Sequence, residues 1–189
     1  MGRFIVGILL GIVLVPLGVM AWFRYGHPPV AVADRPLPDE RLMVSVPLHA
    51  RIDRELITTP PIQADEATFA AGAQIYRDHC AFCHGFHGKP SAIAAHMYPK
   101  APQLWEKHHN GTVVGVSDDP PGETYWKVSN GIRLSGMPSF QNTLSETEMW
   151  QVSLLLANAD KPLPPEVLDV VEGKSPPAPA PAPSPAKKR

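Results

Sequence analysis

The feature that most constrains this chain is the spacing of its two cysteines, Cys80 and Cys83, which are followed directly by His84. Two thiols three positions apart cannot crosslink distant segments, so a disulfide-rich scaffold is excluded and the pair is expected to serve local chemistry. The length of 189 residues leaves room for about one domain. The formal net charge is −1, and lysine and arginine form no basic stripe, so we expect no nucleic-acid partner.

The Cys80-x-x-Cys83-His84 motif has the arrangement that attaches one haem covalently. Two thiols at this spacing on the end of a helix can add to the two vinyl groups of a haem, and the adjacent histidine then meets the iron. The sequence therefore predicts one haem c held by two thioethers. A thiol-disulfide redox site would need a preceding strand in a βαβ pattern, and a zinc site would need a second paired motif; the sequence shows neither.

The periodic, aromatic-rich part of the sequence, residues 65–160, predicts helices. A first helix is expected from about Asp65 to Cys80. Gly72 marks a close approach of another helix, because glycine inside a helix otherwise costs about 1 kcal/mol. A middle helix is expected from Glu123 to Asn130. No run of strands is recognisable, so the predicted fold class is all-α.

Of the predicted helices, the last one has the most specific sequence signal for the position of its first residue. Ser145 and Glu148 have the spacing of a capping box, in which each side chain bonds the other residue's backbone N–H. Leu144 and Met149 are placed to pack together as the hydrophobic staple of the same helix end. Met149 is therefore expected in the core.

Residues 65–160 resemble the single-haem class I cytochrome c family, with Cys80–Gly85 as the attachment site. The segment Asn130–Phe140 resembles the loop that brings a methionine ligand to the iron, which makes Met137 the candidate partner of His84. The chemistry agrees, because a thioether is a soft, neutral ligand, Gly136 permits close backbone approach and Pro138 fixes the chain just beyond the sulfur. The resemblance implies a small helical domain around one haem, in which the first and last helices cross at Tyr76 and Trp150.

Other residues compete with Met137 for the sixth position on the iron. An ordinary core methionine is the alternative interpretation of Met137 itself. The remaining candidates follow the attachment motif in the sequence, and the histidines among them would give bis-histidine ligation; they are Met97, His96, His108 and His109.

Two further residues are implied by the resemblance. Pro102, in Pro102-Gln103-Leu104, matches the family's proline whose carbonyl accepts a hydrogen bond from the haem histidine, with Pro99 as the alternative. Trp126 is expected either to contact the haem edge or a propionate through its indole N–H, or to fill the core.

The N-terminal segment predicts a membrane anchor. Phe4–Phe23 is an uncharged apolar run long enough to cross a bilayer as a helix, and aromatic residues follow at its end, as at a membrane interface. A cleaved secretory signal is the alternative, although the run exceeds the roughly 7 to 15 apolar residues of a signal core. Under both interpretations, the rest of the chain is exported across the membrane.

These patterns divide the chain into four regions. Residues 1–25 are the expected anchor, and residues 26–63 are a Pro-rich spacer with no sustained helical period. The alternative is that part of this spacer packs on the domain. Residues 64–161 are the cytochrome domain. Residues 162–189 are an Ala/Pro-rich tail that is expected to be disordered and to form no core.

The resemblance implies an electron-transfer protein rather than an enzyme. With both axial positions filled, the iron would exchange electrons and exclude other ligands. The expected setting is a bacterial inner membrane, with the haem domain in the periplasm and redox partner proteins in or at the membrane. The alternative is a haem-based sensor or catalytic subunit with an open or displaceable sixth ligand.

Overall fold

The computed structural model describes residues 1–108 and 110–174. They fall into two compact units, Met1–Ser45 and the part of the chain from Val46 onward. The helices and strands in chain order are α1 Gly2–Tyr25, α2 Glu40–Glu55, α3 Glu66–Ile75, a π-helical turn Tyr76–Cys80, α4 Ala81–His84, a 3-10 turn Ile93–His96, β1 Lys107–His108, β2 Val113–Val114, α5 Pro121–Asn130, α6 Glu146–Leu156 and α7 Pro165–Val171.

The first unit contains the long apolar helix α1. Its 24 residues rise about 36 Å at 1.5 Å per residue, which is enough to cross the hydrocarbon core of a bilayer. The mean hydropathy of its most apolar window is 2.7, and none of its residues is buried within the protein. The helix therefore fits a membrane anchor, although a signal sequence near an N-terminus has the same length and composition.

The first helix of the predicted cytochrome domain begins as its sequence predicts. The side chain of Asp65 accepts a hydrogen bond from the backbone N–H of Thr68 at 2.8 Å, and this bond holds the pKa of Asp65 below its ordinary value. From Tyr76 the helix widens into the π-helical turn, which ends at Cys80 and leads directly into α4. The predicted extent is confirmed, and the change of helix type is an addition from the structure.

Helix α6 is the main packing partner of α3. Its capping box is present, since Ser145 Oγ accepts from the Glu148 N–H and the Glu148 carboxylate accepts from the Ser145 N–H. At the crossing, a Cβ on Gly72 would lie 2.8 Å from the backbone carbonyl carbon of Gln151. Only glycine allows the two backbones to approach this closely, which confirms the interpretation of Gly72.

Aromatic rings join the remaining helices to this pair. Helix α5 ends at Gly131, whose φ of 68° favours glycine, and its Tyr125 stacks on Trp150 of α6 with ring centroids 4.2 Å apart. Tyr76 is fully buried and meets Trp105 edge to face at 5.6 Å. The ring partner of Tyr76 thus comes from a loop and that of Trp150 from α5. The crossing of the first and last helices at these two residues stays a prediction.

Part of the expected spacer, residues 26–63, is helical in the structure. Pro47 lies inside α2, and because proline has no backbone N–H, the sequence suggested a break there. Tertiary contacts favour the helix beyond that point: Ile52 is 1% exposed, and the backbone carbonyl of Ile57 lies against Gly122 of α5. The spacer therefore contains a helix at Glu40–Glu55, which the lack of a sustained helical period in its sequence did not predict.

The expected disordered tail also needs correction over its first part. Helix α7 begins at Pro165, where the missing N–H of proline costs nothing because the first turn has no partner for it. Its valines Val167, Val170 and Val171 lie on one face at helical spacing and are buried in the main core. The remainder of that tail, residues 175–189, lies outside the described residues.

The burial of α7 gives a stability prediction. Val167→Ala removes two methyl groups from a fully buried side chain, so we expect a loss of roughly 2 kcal/mol in the free energy of unfolding. Chemical denaturation of the haem-loaded protein measures this loss. Glu166→Ala, at an exposed position of the same helix, is the matched control and should change stability by less than about 0.5 kcal/mol. Equal stabilities of the Val167→Ala variant and the wild type would show that α7 is not part of the core.

Candidate functional site

The two thiols lie where the π-helical turn passes into α4. Cys80 is the last residue of the turn, Cys83 lies one helical turn further on, and both are free and half-buried. Burial, followed by the proximity of Cys83, raises the pKa of Cys80 to about 12. A thiol-disulfide enzyme needs a thiol with a lowered pKa, because the thiolate is the nucleophile, so this environment disfavours that alternative.

His84 ends α4 with a fixed ring orientation. Its Nδ1 lies 2.7 Å from the carbonyl oxygen of Pro102, which can only accept, so Nδ1 carries the hydrogen and Nε2 keeps its lone pair. Burial lowers the pKa of His84, while the bond to Pro102 acts in the opposite direction. The neutral imidazole with an available Nε2 is the form that binds a metal ion.

Gln103 ties the segment after the motif back onto α4. Its amide nitrogen donates to the carbonyls of Cys83 at 3.3 Å and of Ala101 at 3.2 Å, and its amide oxygen accepts from the Ser91 N–H at 2.6 Å. The Ser91 hydroxyl in turn donates to the carbonyl of Phe82 at 2.6 Å. The sequence analysis assigned no role to Gln103. The signal that could have identified it is a single amide side chain between two apolar residues, Pro102 and Leu104.

Gly85 completes the turn after the histidine. Its φ is 75°, and a Cβ there would lie 2.6 Å from the side-chain oxygen of Gln103. Its carbonyl accepts a hydrogen bond from the buried Tyr76 hydroxyl at 2.6 Å, and burial raises the pKa of Tyr76, so the phenol stays protonated as the donor. The core below the site thus fixes the backbone at the end of the motif.

The loop that carries Met137 is held by its own hydrogen bonds. The Met137 N–H donates to the Ser135 hydroxyl oxygen at 3.1 Å, and the Met137 carbonyl accepts from the Ile132 N–H at 3.2 Å. The loop starts at Gly131, where no Cβ would fit against the backbone of Pro138 and Ser139. Met137 is half-buried and packs against the edge of the core.

Trp126 is buried, and its indole N–H already has a partner. It donates to a carboxylate oxygen of Glu55 at 2.7 Å, and the Arg51 guanidinium lies 5.7 Å from the ring centroid. The residue therefore links α2 to α5. Its role as a haem contact remains a prediction, since the indole hydrogen expected at a propionate is used for Glu55.

The chemistry of these residues fits a haem. Phe82 and Leu134 are 73% and 79% exposed, and Ile93 and Tyr98 are also exposed, so the segments around the motif present apolar side chains that a large apolar ligand would cover. The described residues contain no group of three or more His, Cys, Asp or Glu arranged to hold a metal ion. A zinc site requires four ligands from the protein, whereas a haem brings four of its iron ligands with it.

A comparison with protein families agrees with this chemistry. The family described as cytochrome C oxidase, cbb3-type, subunit III matches residues 67–154, which include the attachment motif, Met137 and most of α6. The chain carries a single-haem c-type cytochrome domain. Its cofactor is covalent haem c, and the chemistry of the matched domain is haem-based electron transfer.

Among solved structures, a chain of the "reducing HAO-like protein complex" of Kuenenia stuttgartiensis resembles this one with a TM-score of 0.41 and 19% sequence identity. The match covers 75% of this chain, which spans 55% of the length of that one. The curated proteins contain no match.

The rival ligand candidates of the cytochrome domain have different surroundings. His96 is exposed at the end of the 3-10 turn, and the His108 ring bonds the carbonyl of Gly115. Met97 is half-buried and reaches Gly136. His109 lies outside the described residues. Met149 is buried in the core, as its place in the α6 staple predicted.

Replacing Gln103 tests whether its hydrogen bonds to Cys83 and Ser91 stabilise the attachment motif. Gln103→Leu keeps the size of the side chain but leaves the Cys83 carbonyl and the Ser91 N–H without these partners, so we expect a loss of about 1–3 kcal/mol in stability. Thermal and chemical denaturation of the haem-loaded protein measure it. Gln141→Leu, at an exposed position, is the control. If both variants unfold like the wild type, Gln103 does not secure the motif.

The Glu55–Trp126 bond predicts a pH-dependent stability. The indole N–H, followed by Arg51, lowers the pKa of Glu55 in the folded protein. A lowered pKa stabilises the fold above the ordinary glutamate pKa, and this contribution is lost as the pH falls through the lowered value. We therefore expect wild type to exceed Glu55→Gln in stability at neutral pH and the difference to disappear in acid. Denaturation across pH measures this; a constant difference, or an equal one in the exposed control Glu106→Gln, would contradict it.

Proposed function

We propose that this protein is a membrane-anchored electron carrier in which haem c is attached to Cys80 and Cys83 and is ligated by His84 and Met137. The observation that carries the proposal is the 2.7 Å bond from His84 Nδ1 to the Pro102 carbonyl. It leaves Nε2 as a ligand beside two free thiols. When bound, the haem supplies a one-electron iron couple.

Hydrogen bonds within the protein fix the orientation of His84, the proposed ligand on one face of the haem. Pro102 fixes the imidazole plane, and such an acceptor also raises the basicity of the ligating nitrogen. Gln103 and Tyr76 hold the backbone on either side of His84, so the ring does not need to be reoriented when the haem binds. A ligand fixed in both oxidation states keeps the reorganisation small, which suits electron transfer.

The Met137 loop supports the other axial ligand. Its internal hydrogen bonds limit the positions of Met137, and a neutral thioether raises the reduction potential relative to other ligand sets. With both positions filled, oxygen and substrates have no site on the iron. The centre then serves as a relay and not as a catalyst.

The anchor helix supports a role at a membrane. Because Glu55, at the end of α2, accepts a hydrogen bond from Trp126 of α5, the tether between anchor and domain is at most the segment after Tyr25 and before Glu55. A tether of this kind raises the effective concentration of a membrane partner, for short flexible linkers to the mM range. We place the haem domain in the periplasm of a bacterium, facing membrane-bound donors and acceptors.

The ligation is tested by absorption spectra of protein made with a working haem-attachment system. We expect a c-type spectrum in which carbon monoxide changes nothing in the reduced wild type, because both axial positions are filled. Met137→Ala should lose the far-red band that a methionine ligand gives ferric haem and should bind carbon monoxide. Met149→Leu, a volume-conserving change in the core, is the control and should keep both properties.

Two results would contradict the proposal in different ways. Ready carbon monoxide binding by the wild type would indicate a sensor or catalytic haem. A far-red band that persists in Met137→Ala would assign the ligand to another residue.

A further inference from the structure

Met97 lies between the attachment motif and the ligand loop. It follows the 3-10 turn Ile93–His96, which packs on α4, and its backbone N–H donates to the Ala94 carbonyl at 3.3 Å. Beyond the turn the backbone becomes extended, with φ −107° and ψ 146° at Met97. The side chain thus starts from the segment that covers the attachment helix.

The far end of the Met97 side chain lies against Gly136. Its terminal methyl carbon occupies the space that a Cβ on Gly136 would take. Gly136 directly precedes Met137, and its φ lies outside the region that demands glycine. The Met97 methyl therefore occupies the space that a side chain at position 136 would take, and the backbone conformation does not itself require glycine there.

Between Gly131 and Met137 the ligand loop is held by hydrogen bonds within the loop, and beyond Met137 it is bonded to α5 through Ser139 and Phe140. The Ser135 hydroxyl, the Ile132 N–H and the glycine turn at Gly131 hold the loop from within. Within this loop, Leu134 has a φ of 61°, a conformation that costs a non-glycine residue on the order of 1 kcal/mol or more. The strained backbone at Leu134 lowers the free energy needed to open the loop. A contact from another segment to a residue next to Met137 therefore affects the rate at which the loop opens.

We propose that Met97 is a positioning residue for the axial ligand: its methyl contact with Gly136 holds the loop closed and keeps the Met137 sulfur on the iron. A methionine suits this task because its flexible, polarizable thioether fills an irregular gap against a bare backbone. This inference rests on the proposed function, since it needs Met137 as the ligand.

The test measures how often the loop opens. Imidazole binds ferric haem only after Met137 leaves, so its binding rate at high imidazole concentration reports the opening rate. Met97→Ala should raise this rate by about tenfold, equivalent to about 1.4 kcal/mol of lost contact, and weaken the far-red band. The matched control is Met149→Ala, which truncates a buried core methionine; it should lower stability but leave the opening rate and the band unchanged.

A double variant separates this role from general damage. Gly136→Ala should displace the Met97 methyl and also raise the opening rate. Combining Met97→Ala with Gly136→Ala puts a new methyl into the vacated space, so the double variant should open more slowly than Met97→Ala alone. Such a reversal is the signature of direct contact.

The outcomes distinguish the two proposals. An unchanged opening rate in Met97→Ala, with the band still lost in Met137→Ala, would overturn the role of Met97 and leave the proposed function in place. Additive rates in the double variant would overturn it in the same way. Loss of the band in Met97→Ala together with its survival in Met137→Ala would make Met97 the ligand and overturn both.

Discussion

The close approach of α3 and α6 at Gly72 is the contact on which the haem site depends. It brings the backbones of the two helices into contact, and Tyr76, the first residue of the π-helical turn after α3, is fully buried. Because the Tyr76 hydroxyl bonds the Gly85 carbonyl, the position of the helix pair is transmitted to the end of the attachment motif. The thiols and His84 lie on the short stretch between these two fixed points.

The segment that follows the attachment motif folds back onto it and forms hydrogen bonds with its residues. The segment from Ser91 to Leu104 gives His84 a carbonyl acceptor and gives Cys83 an amide donor, and the Leu104 N–H bonds the His84 carbonyl at 3.2 Å. These bonds lie within the half-buried part of the site, where an unpaired polar group is costly. The same segment carries Met97 to the ligand loop, so one loop serves both axial sides of the proposed centre.

Most of the central fold could be predicted from local patterns. The capping box at Ser145, the helix end at Gly131 and the close approach at Gly72 each depend on a few neighbouring residues, and each is present. Helices α2 and α7 could not be predicted this way. Pro47 lies inside α2 and favours a break there, and α7 is a short helix in a Pro-rich stretch. Both helices carry fully buried side chains, Ile52 in α2 and Val167 in α7.

The sequence by itself determined how the haem is attached, because attachment needs only residues that are close together in the chain. Cys80, Cys83 and His84 are joined by one helical turn, so their spacing alone predicted covalent haem, and the family match at residues 67–154 agrees. Only the tertiary structure decided which groups surround that turn: the carbonyl that orients His84, the amide of Gln103, the Glu55 carboxylate on Trp126 and the methyl of Met97 on Gly136. Those contacts join residues far apart in the chain, and their geometry follows from how the helices pack, which no local pattern encodes.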